Sequence, residues 1–308
     1  MRVLFWGTPD FAAPALRAIV GEGFEVCAVV TRPDKPVGRE RTLTEPPVKR
    51  IALEESLPVF QPESPRDEDF QGLLEVVAPD LSVVVAYGHI LPRSIIDLPR
   101  LGTLNIHASL LPALRGAAPI QSAIREGLTE TGVTIMHMVP ALDAGPIVLQ
   151  SRTPIADDET YGELQARLSE LGALALIEAL TLLELGRVTE RAQDDSLATY
   201  APKVGRDSTR IDWSLGAREV ANGIRAYDPR PGAWAIHRGA DIKVFGARRM
   251  FDVAGRAGEV LAADAEGLIV ACGDGAVRIC DVQPAGKRRM QAVAWHRGRG
   301  IAIGDLLD

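Results

Sequence analysis

Residues 2–20 read RVLFWGTPDFAAPALRAIV. An apolar, aromatic-rich run ends at Gly7, turns through Thr-Pro-Asp, and re-enters an apolar pattern with helical spacing. A strand without a polar face is buried on both sides. A strand–turn–helix unit of that kind starts a parallel sheet covered by helices. The same grammar recurs: EVCAVVT (25–31), LPVF (57–60), LSVVVAYG (81–88) and TLNIHAS (103–109) read as strands. PPVKRIALEES (46–56) and DEDFQGLLEVVAP (67–79) read as the helices between them. GVTIMHMV and IVLQSRTPI continue the sheet, and a long helix is predicted from Thr160 to about Gly186. Thr8 or Asp10 is the expected N-cap of the first helix, whose start could hold an anion. Neither GxGxxG nor GxxxxGK[ST] occurs there, which argues against dinucleotide and nucleoside-triphosphate binding.

Beyond residue 205 the pattern changes. A short helix in SLGAREVANGIRAY is followed by short strands with Gly and Asp at the turns, the signature of a small β-barrel. The expected organisation is α/β: a Rossmann-like, mostly parallel sheet domain over 1–205, a linker near 190–210, and a small OB-like β-barrel domain over 206–308. With 308 residues, 46% hydrophobic and 24% charged, the chain is ordinary globular material rather than a disordered one. No apolar run reaches the roughly 18 residues of a membrane span, and no secretory leader pattern stands at the start. Cys27, Cys272 and Cys280 form neither a disulfide framework nor a metal-ligand spacing, so the cytoplasm is the default location; with no exposed heptad or long apolar edge in the sequence, a monomer is the default state. The net charge of −7 is uneven. Residues 1–205 carry 18 Lys and Arg against 28 Asp and Glu, and residues 206–308 carry 16 against 13. A polyanionic partner therefore suits the second part better.

The chemistry concentrates in TLNIHASLLPALRGAAPIQ, residues 103–121. Asn105 and His107 stand two apart on a strand and so share a face. In an open parallel sheet ligands bind beyond the C-terminal strand ends, where this pair lies. An amide donor beside an imidazole suits acyl transfer: Asn meets an oxyanion while His moves a proton. Asp143, in VPALDAGPIV, is the candidate acid to orient the histidine. The spacing alone also fits two satisfied polar groups in a core.

The ordered set of motifs is more specific. NIHASLLPALRGAAPIQ resembles the Asn-x-His, SLLP and RGxxP run of the folate-dependent formyltransferases, and LDAGPI resembles their Asp loop. VLFWGTPDFAAPAL, TRPDKPVGR, VVVAYGHILP, IRAYDPRPGAW and QPAGKRRM extend the likeness over nearly the full length, toward those members that act on methionyl-tRNA. The resemblance implies a catalytic trio of Asn105, His107 and Asp143. It implies that Ser109, Leu110, Leu111 and Pro112 help hold the folate, with Tyr87, His89 and Leu91 on the pterin side. The implied reaction moves the formyl group of 10-formyltetrahydrofolate, without a metal, to the methionine amine of initiator methionyl-tRNA.

Two basic segments are candidates for tRNA contact. TRPDKPVGRERTLTEPPVKR (31–50) is a long, proline-rich stretch expected to lack secondary structure. Its Lys35, Arg39 and Arg41 are suited to phosphate or base contacts. The resemblance places this loop at the acceptor stem, although Glu40 and Thr42 stand where more basic residues are expected. In the tail, Lys287, Arg288 and Arg289 form one cationic run.

Overall fold

The structure is a computed structural model that describes every residue except Arg39, Glu40 and Asp252; for Val37 only the backbone is described. The chain forms two compact units. The first comprises Met1–Gly116, Gly132–Thr153 and Gln165–Tyr200, and the second Ala117–Thr131, Pro154–Leu164 and Ala201–Asp308.

The first unit holds strands β1 (Arg2–Gly7), β2 (Glu25–Val30), β3 (Lys35–Val37), β4 (Thr42–Thr44), β5 (Val59–Phe60), β6 (Leu81–Val85), β7 (Thr103–His107) and β8 (Arg115–Gly116). β9 (Glu130–His137) and β10 (Ile147–Pro154) complete its sheet, in the order β10-β9-β7-β6-β1-β2-β5. β1 runs parallel to β2 and β6, β2 to β5, and β6 to β7, whereas β9 is antiparallel to β7. Gly7, Val30, Val85 and His107 therefore end at one edge of the sheet, where a ligand crevice forms in this architecture. Val3 to Trp6 are fully buried, as a strand covered on both faces requires.

Helices α1 (Ala13–Gly21), α2 (Pro47–Glu54), α3 (Glu68–Val77) and α4 (Arg93–Ile96) connect the parallel strands. One core cluster joins Trp6, Val30, Phe70, Leu74, Val84, Tyr87, Leu91 and Ile95. Within it the Trp6 ring meets Phe70 and Tyr87 edge-on at 5.9 and 5.2 Å, and its Nε1 donates to Ser82 Oγ. Following α5 (Pro119–Arg125), the long α6 spans Tyr161–Glu184, close to the predicted bounds. Gly172 lets α6 lie against β7, since a Cβ there would stand 3.0 Å from Ile106 Cγ2.

Two local expectations fail. The first helix begins with a 3₁₀ turn at Asp10–Ala12 after Pro9, with no side-chain cap, and Thr8 Oγ1 donates instead to Tyr87 O. Part of the stretch 31–50 is ordered as the β3–β4 hairpin, with Lys35 opposite Thr44. A proline tolerates such a two-stranded edge, where its missing N–H costs no interior ladder bond.

After the two-residue strand β11 (Tyr200–Ala201), the second unit contains α7 (Ala217–Ala226), β12 (Ala233–His237), β13 (Ala240–Met250), β14 (Val260–Ala263), β15 (Leu268–Ala271), β16 (Ala276–Pro284), β17 (Met290–Gln291) and α8 (Ala292–Arg297). The strands form one antiparallel sheet, β12-β13-β16-β15-β14, with β17 on β16. Its two edges are joined by residues 305–308. Asp308 exchanges both backbone hydrogen bonds with Ile236 of β12, while Asp305 O accepts from Val260 N of β14 and Leu307 N donates to Gly258 O. This segment pairs the open edges and closes the barrel. None of the helices among the described residues is long and apolar enough to cross a membrane.

Candidate active site

β7 delivers Asn105 and His107 to the sheet's ligand edge. Asn105 is half-buried, opposite Met136 of β9, and its carboxamide makes no hydrogen bond among the described residues. His107 is 5% exposed. Its Nε2 lies 2.9 Å from Leu114 O, and its Nδ1 lies 3.6 Å from Asp143 Oδ2. A carbonyl only accepts, so Nε2 carries a proton, and in the neutral form of the imidazole the lone pair is then on Nδ1.

Both residues facing the imidazole adopt left-handed backbone: Leu114 at φ 60° and Asp143 at φ 49°. That conformation costs about 1–2 kcal/mol for a side chain such as leucine and persists where surrounding contacts dictate it. The contacts are visible. Leu114 N donates to Thr199 Oγ1 at 2.9 Å, and Gly116 N donates to Asp143 Oδ2 at 2.8 Å. Gly145 packs so closely on β9 that a Cβ would stand 1.7 Å from His137 O. Only glycine fits there, which accounts for the Asp-Ala-Gly order of the loop.

One residue that the sequence reading missed ties these pieces together. Gln193 Nε2 donates to Asp143 O and to Gly145 O, each at 2.8 Å. Its Oε1 accepts from Arg115 Nε at 3.1 Å and Nη2 at 2.8 Å. Arg115 is 4% exposed and also pairs with Asp195 at 2.7 Å. The Asp143 loop is thus held at its carboxylate by Gly116 and at its backbone by Gln193, and Arg115 fixes the amide's orientation. The only hint in the sequence is a polar cluster, QDDS at 193–196, far from the motif and without periodicity.

The SLLP loop is pinned similarly. Ser109 Oγ donates to Ala113 O at 2.6 Å, and Ser109 O accepts from Thr134 Oγ1 at 2.7 Å. Leu111 is buried against Met136 and Ile147, its N–H on Thr134 Oγ1 and its carbonyl on Gln150 Nε2. Leu110 and Pro112 are half-buried. On the other side of the edge, Tyr87 and Leu91 lie inside the aromatic core rather than along an open wall. Burial pushes the Tyr87 phenol up to about 12, and its hydroxyl has no partner. His89 is half-buried 5.5 Å from the Tyr87 ring; burial, then the Arg32 and Lys35 charges, lower its pKa. Among the described residues no group of His, Cys, Asp and Glu is placed to hold a metal ion.

The basic candidates fall into separate situations. Lys35 and Arg41 are exposed on and beside the β3–β4 hairpin, and Arg39 lies outside the described residues. Lys287 and Arg288 are exposed. Arg289 is spent within the second unit: it pairs with buried Asp228 at 2.8 Å and with Asp281 at 2.9 Å, and its guanidinium covers the Phe245 ring.

Comparison with known proteins matches this chain to a family. The profile described as Formyl transferase covers residues 1–180, and that of the Formyl transferase C-terminal domain covers 203–300. The chain is 46% identical to the methionyl-tRNA formyltransferase of Moorella thermoacetica over 308 residues, which is 100% of this chain and 99% of the relative. It is 49% identical to that of Neisseria meningitidis serogroup B over 312 residues, with full coverage of both. Among solved structures, HypX from Aquifex aeolicus in complex with tetrahydrofolic acid superposes with a TM-score of 0.69 at 21% identity, covering 96% of this chain and 46% of HypX. The sugar 3N-formyltransferase WlaRD gives 0.69 at 18% identity, covering 94% and 99%. These two share the fold. At the level of the full-length relatives, the chain belongs to the methionyl-tRNA formyltransferase family.

Proposed function

We propose that this chain transfers the formyl group of 10-formyltetrahydrofolate to the α-amino group of methionine on initiator methionyl-tRNA, as a cytoplasmic monomer. The observation that carries the reading is the edge of β7, where the unspent Asn105 carboxamide stands on the same face as a histidine backed by Asp143. The donor set fits the co-substrate, because a formyl oxygen that gains negative charge needs fixed N–H groups and a nearby cation rather than a nucleophile. 10-Formyltetrahydrofolate supplies an activated formyl carbon.

The residues then divide the work. Asn105 Nδ2 donates to the oxygen on which charge develops. His107 Nδ1, left basic by the Nε2–H bond to Leu114 O, takes the proton of the attacking amine. The imidazolium so formed is stabilised by the Asp143 carboxylate 3.6 Å away, and the same atom returns the proton to the departing nitrogen. The 103–121 stretch and the Asp143 loop carry the chemistry within residues 1–205. Residues 206–308 dock the tRNA, with Lys287 and Arg288 as candidate phosphate contacts; Lys35 and Arg41 engage it from the hairpin. Cys27, Cys272 and Cys280, all unpaired, are in keeping with a reducing compartment.

The test is a formyl-transfer assay with three acceptors: initiator methionyl-tRNA, free methionine, and an amino-sugar nucleotide. Transfer to methionyl-tRNA alone is expected. Equal or preferred transfer to the sugar nucleotide overturns the reading.

A further inference from the structure

Arg289 is spent in its ion pairs, but four other arginines of the second unit, Arg218, Arg225, Arg248 and Arg249, lie together. They surround a cavity of about 410 Å³ between α7, the loop after α5, residues 155–158 and the end of β13. Arg225 lines it at 7% exposure. Its hydrogen bonds go to neutral acceptors, Glu159 O at 2.9 Å and Asn222 Oδ1 at 2.6 Å. Among the described residues no carboxylate lies within ion-pair distance of it. Asp157, Asp158 and Glu159 act on it only through longer-range attraction, and burial lowers its pKa. A buried cation without a bonded anion is costly unless a ligand supplies one.

Three exposed arginines also line the cavity. Arg218 makes a 3.5 Å contact to Gly127 O, Arg248 a loose 3.8 Å pair with exposed Asp158, and Arg249 lies 4.6 Å over the Phe251 ring. Phe251 is 68% exposed, an unusual position for a phenyl group. Among the described residues, four guanidinium groups outweigh the two lining carboxylates, Asp157 and Asp158. Cations beside an open aromatic face are how proteins hold one nucleotide of a single strand: the phosphate on arginine, the base stacked on the ring.

We propose that this cavity binds one nucleotide of the RNA substrate, its phosphate among Arg218, Arg225, Arg248 and Arg249 and its base against Phe251. The inference rests on the proposed function and adds a site to it. The two carboxylates limit occupancy to a single phosphate and offer acceptors for ribose hydroxyls.

The test measures tRNA affinity against salt for the full-length enzyme and for variants of exposed residues, which leave the core intact. Arg248→Ala/Arg249→Ala should weaken binding about tenfold at moderate salt and flatten the log–log slope by about 1–2. Phe251→Leu should weaken binding about fivefold with no change of slope. The loss should also appear as a higher KM for methionyl-tRNA. Unchanged affinity and slope in the double variant overturn the site. A Phe251→Trp variant separates the sources of the nucleotide: quenching by tRNA at concentrations where AMP has no effect supports a strand, whereas equal quenching by AMP overturns the assignment to RNA. Wild-type enzyme that binds no methionyl-tRNA overturns the proposed function together with this site.

Discussion

The loop that carries Asp143 and the run Lys287–Arg289 are both short, polar and exposed to the same kind of sequence reading, yet they turn out differently. Around Asp143 every polar contact converges on one purpose. Gly116, Gln193 and the tight packing at Gly145 all position a single carboxylate beside His107. In the cationic run, Arg289 is drawn into the fold by Asp228 and Asp281, while Lys287 and Arg288 face solvent. The candidate catalytic groups are marked by residue type at a strand end. Cations are not, because the same side chain serves folding and binding alike. Position in the fold decides which.

The largest expected effect breaks the first region at its reacting face. Asn105→Ala removes the only side-chain amide on that face of β7. Loss of one oxyanion donor lowers turnover by about 10²–10³, or roughly 3–4 kcal/mol. Steady-state kinetics should show the loss in kcat, with the KM for the folate little changed. A folded variant with near-normal turnover removes the proposed role.

A smaller effect sharpens the same region. Gln193→Glu keeps the acceptor for Arg115 but replaces the two donors to Asp143 O and Gly145 O with a carboxylate oxygen. The expected loss in kcat is about 10–100-fold, the value of two hydrogen bonds at about 1 kcal/mol each plus repulsion. A double-mutant cycle with Asp143→Asn distinguishes positioning from general damage. If Gln193 acts through the Asp143 loop, its effect shrinks to about twofold in the Asp143→Asn background. Equal losses in both backgrounds show that the glutamine merely stabilises the unit.

Much of this was legible from residue types, and what was not shares one cause. The parallel sheet, its helices and the Asn105–His107–Asp143 set each depend on local patterns or on chemistry-bearing residues at turns. Gln193 reaches Asp143 across 50 residues and Asp228 pairs with Arg289 across 61, so no local pattern records either contact. The β3–β4 hairpin was hidden by Pro36, whose presence argues against a strand except at an edge. The closure of the barrel by residues 305–308 runs through backbone groups, which carry no sequence signal at all.

The second region is tested next, by stability rather than activity. Arg289→Ala leaves Asp228, buried at 4% exposure, with only the Gly246 N–H as a partner among these contacts. Breaking a fully buried pair costs about 3–5 kcal/mol. Arg289 is partly exposed, so about 1–2 kcal/mol is expected, read as a lower Tm or urea midpoint. Lys287→Ala and Arg288→Ala should leave stability within about 0.5 kcal/mol. A wild-type Tm for Arg289→Ala would show that its pairs are surface contacts like its neighbours'.

The smallest effect concerns pH and the segment that closes the barrel. Burial by itself raises the Asp305 pKa, but the Ala302 N–H, His237 and Arg238 outweigh it and hold the carboxyl below its usual range. The bonds are short: Ala302 N at 2.8 Å, His237 Nε2 at 3.0 Å and Arg238 Nη2 at 3.0 Å. A carboxylate whose folded-state pKa is depressed contributes stability above its unfolded value of about 3.9 and loses it as pH falls through the lower folded value. Acid should therefore loosen the 305–308 closure below about pH 4, with neutral pH leaving it intact. Asp305→Asn keeps the side chain's size but removes the charge, so its stability should be slightly lower at pH 7 and should vary less between about pH 4 and pH 2 than that of the wild type. Urea unfolding followed at Trp295, whose ring stands 5.2 Å from His237, reports on this corner of the barrel. Parallel stability curves for the two proteins across that pH interval would place the acid sensitivity outside Asp305, and the closure would then rest on its backbone bonds alone.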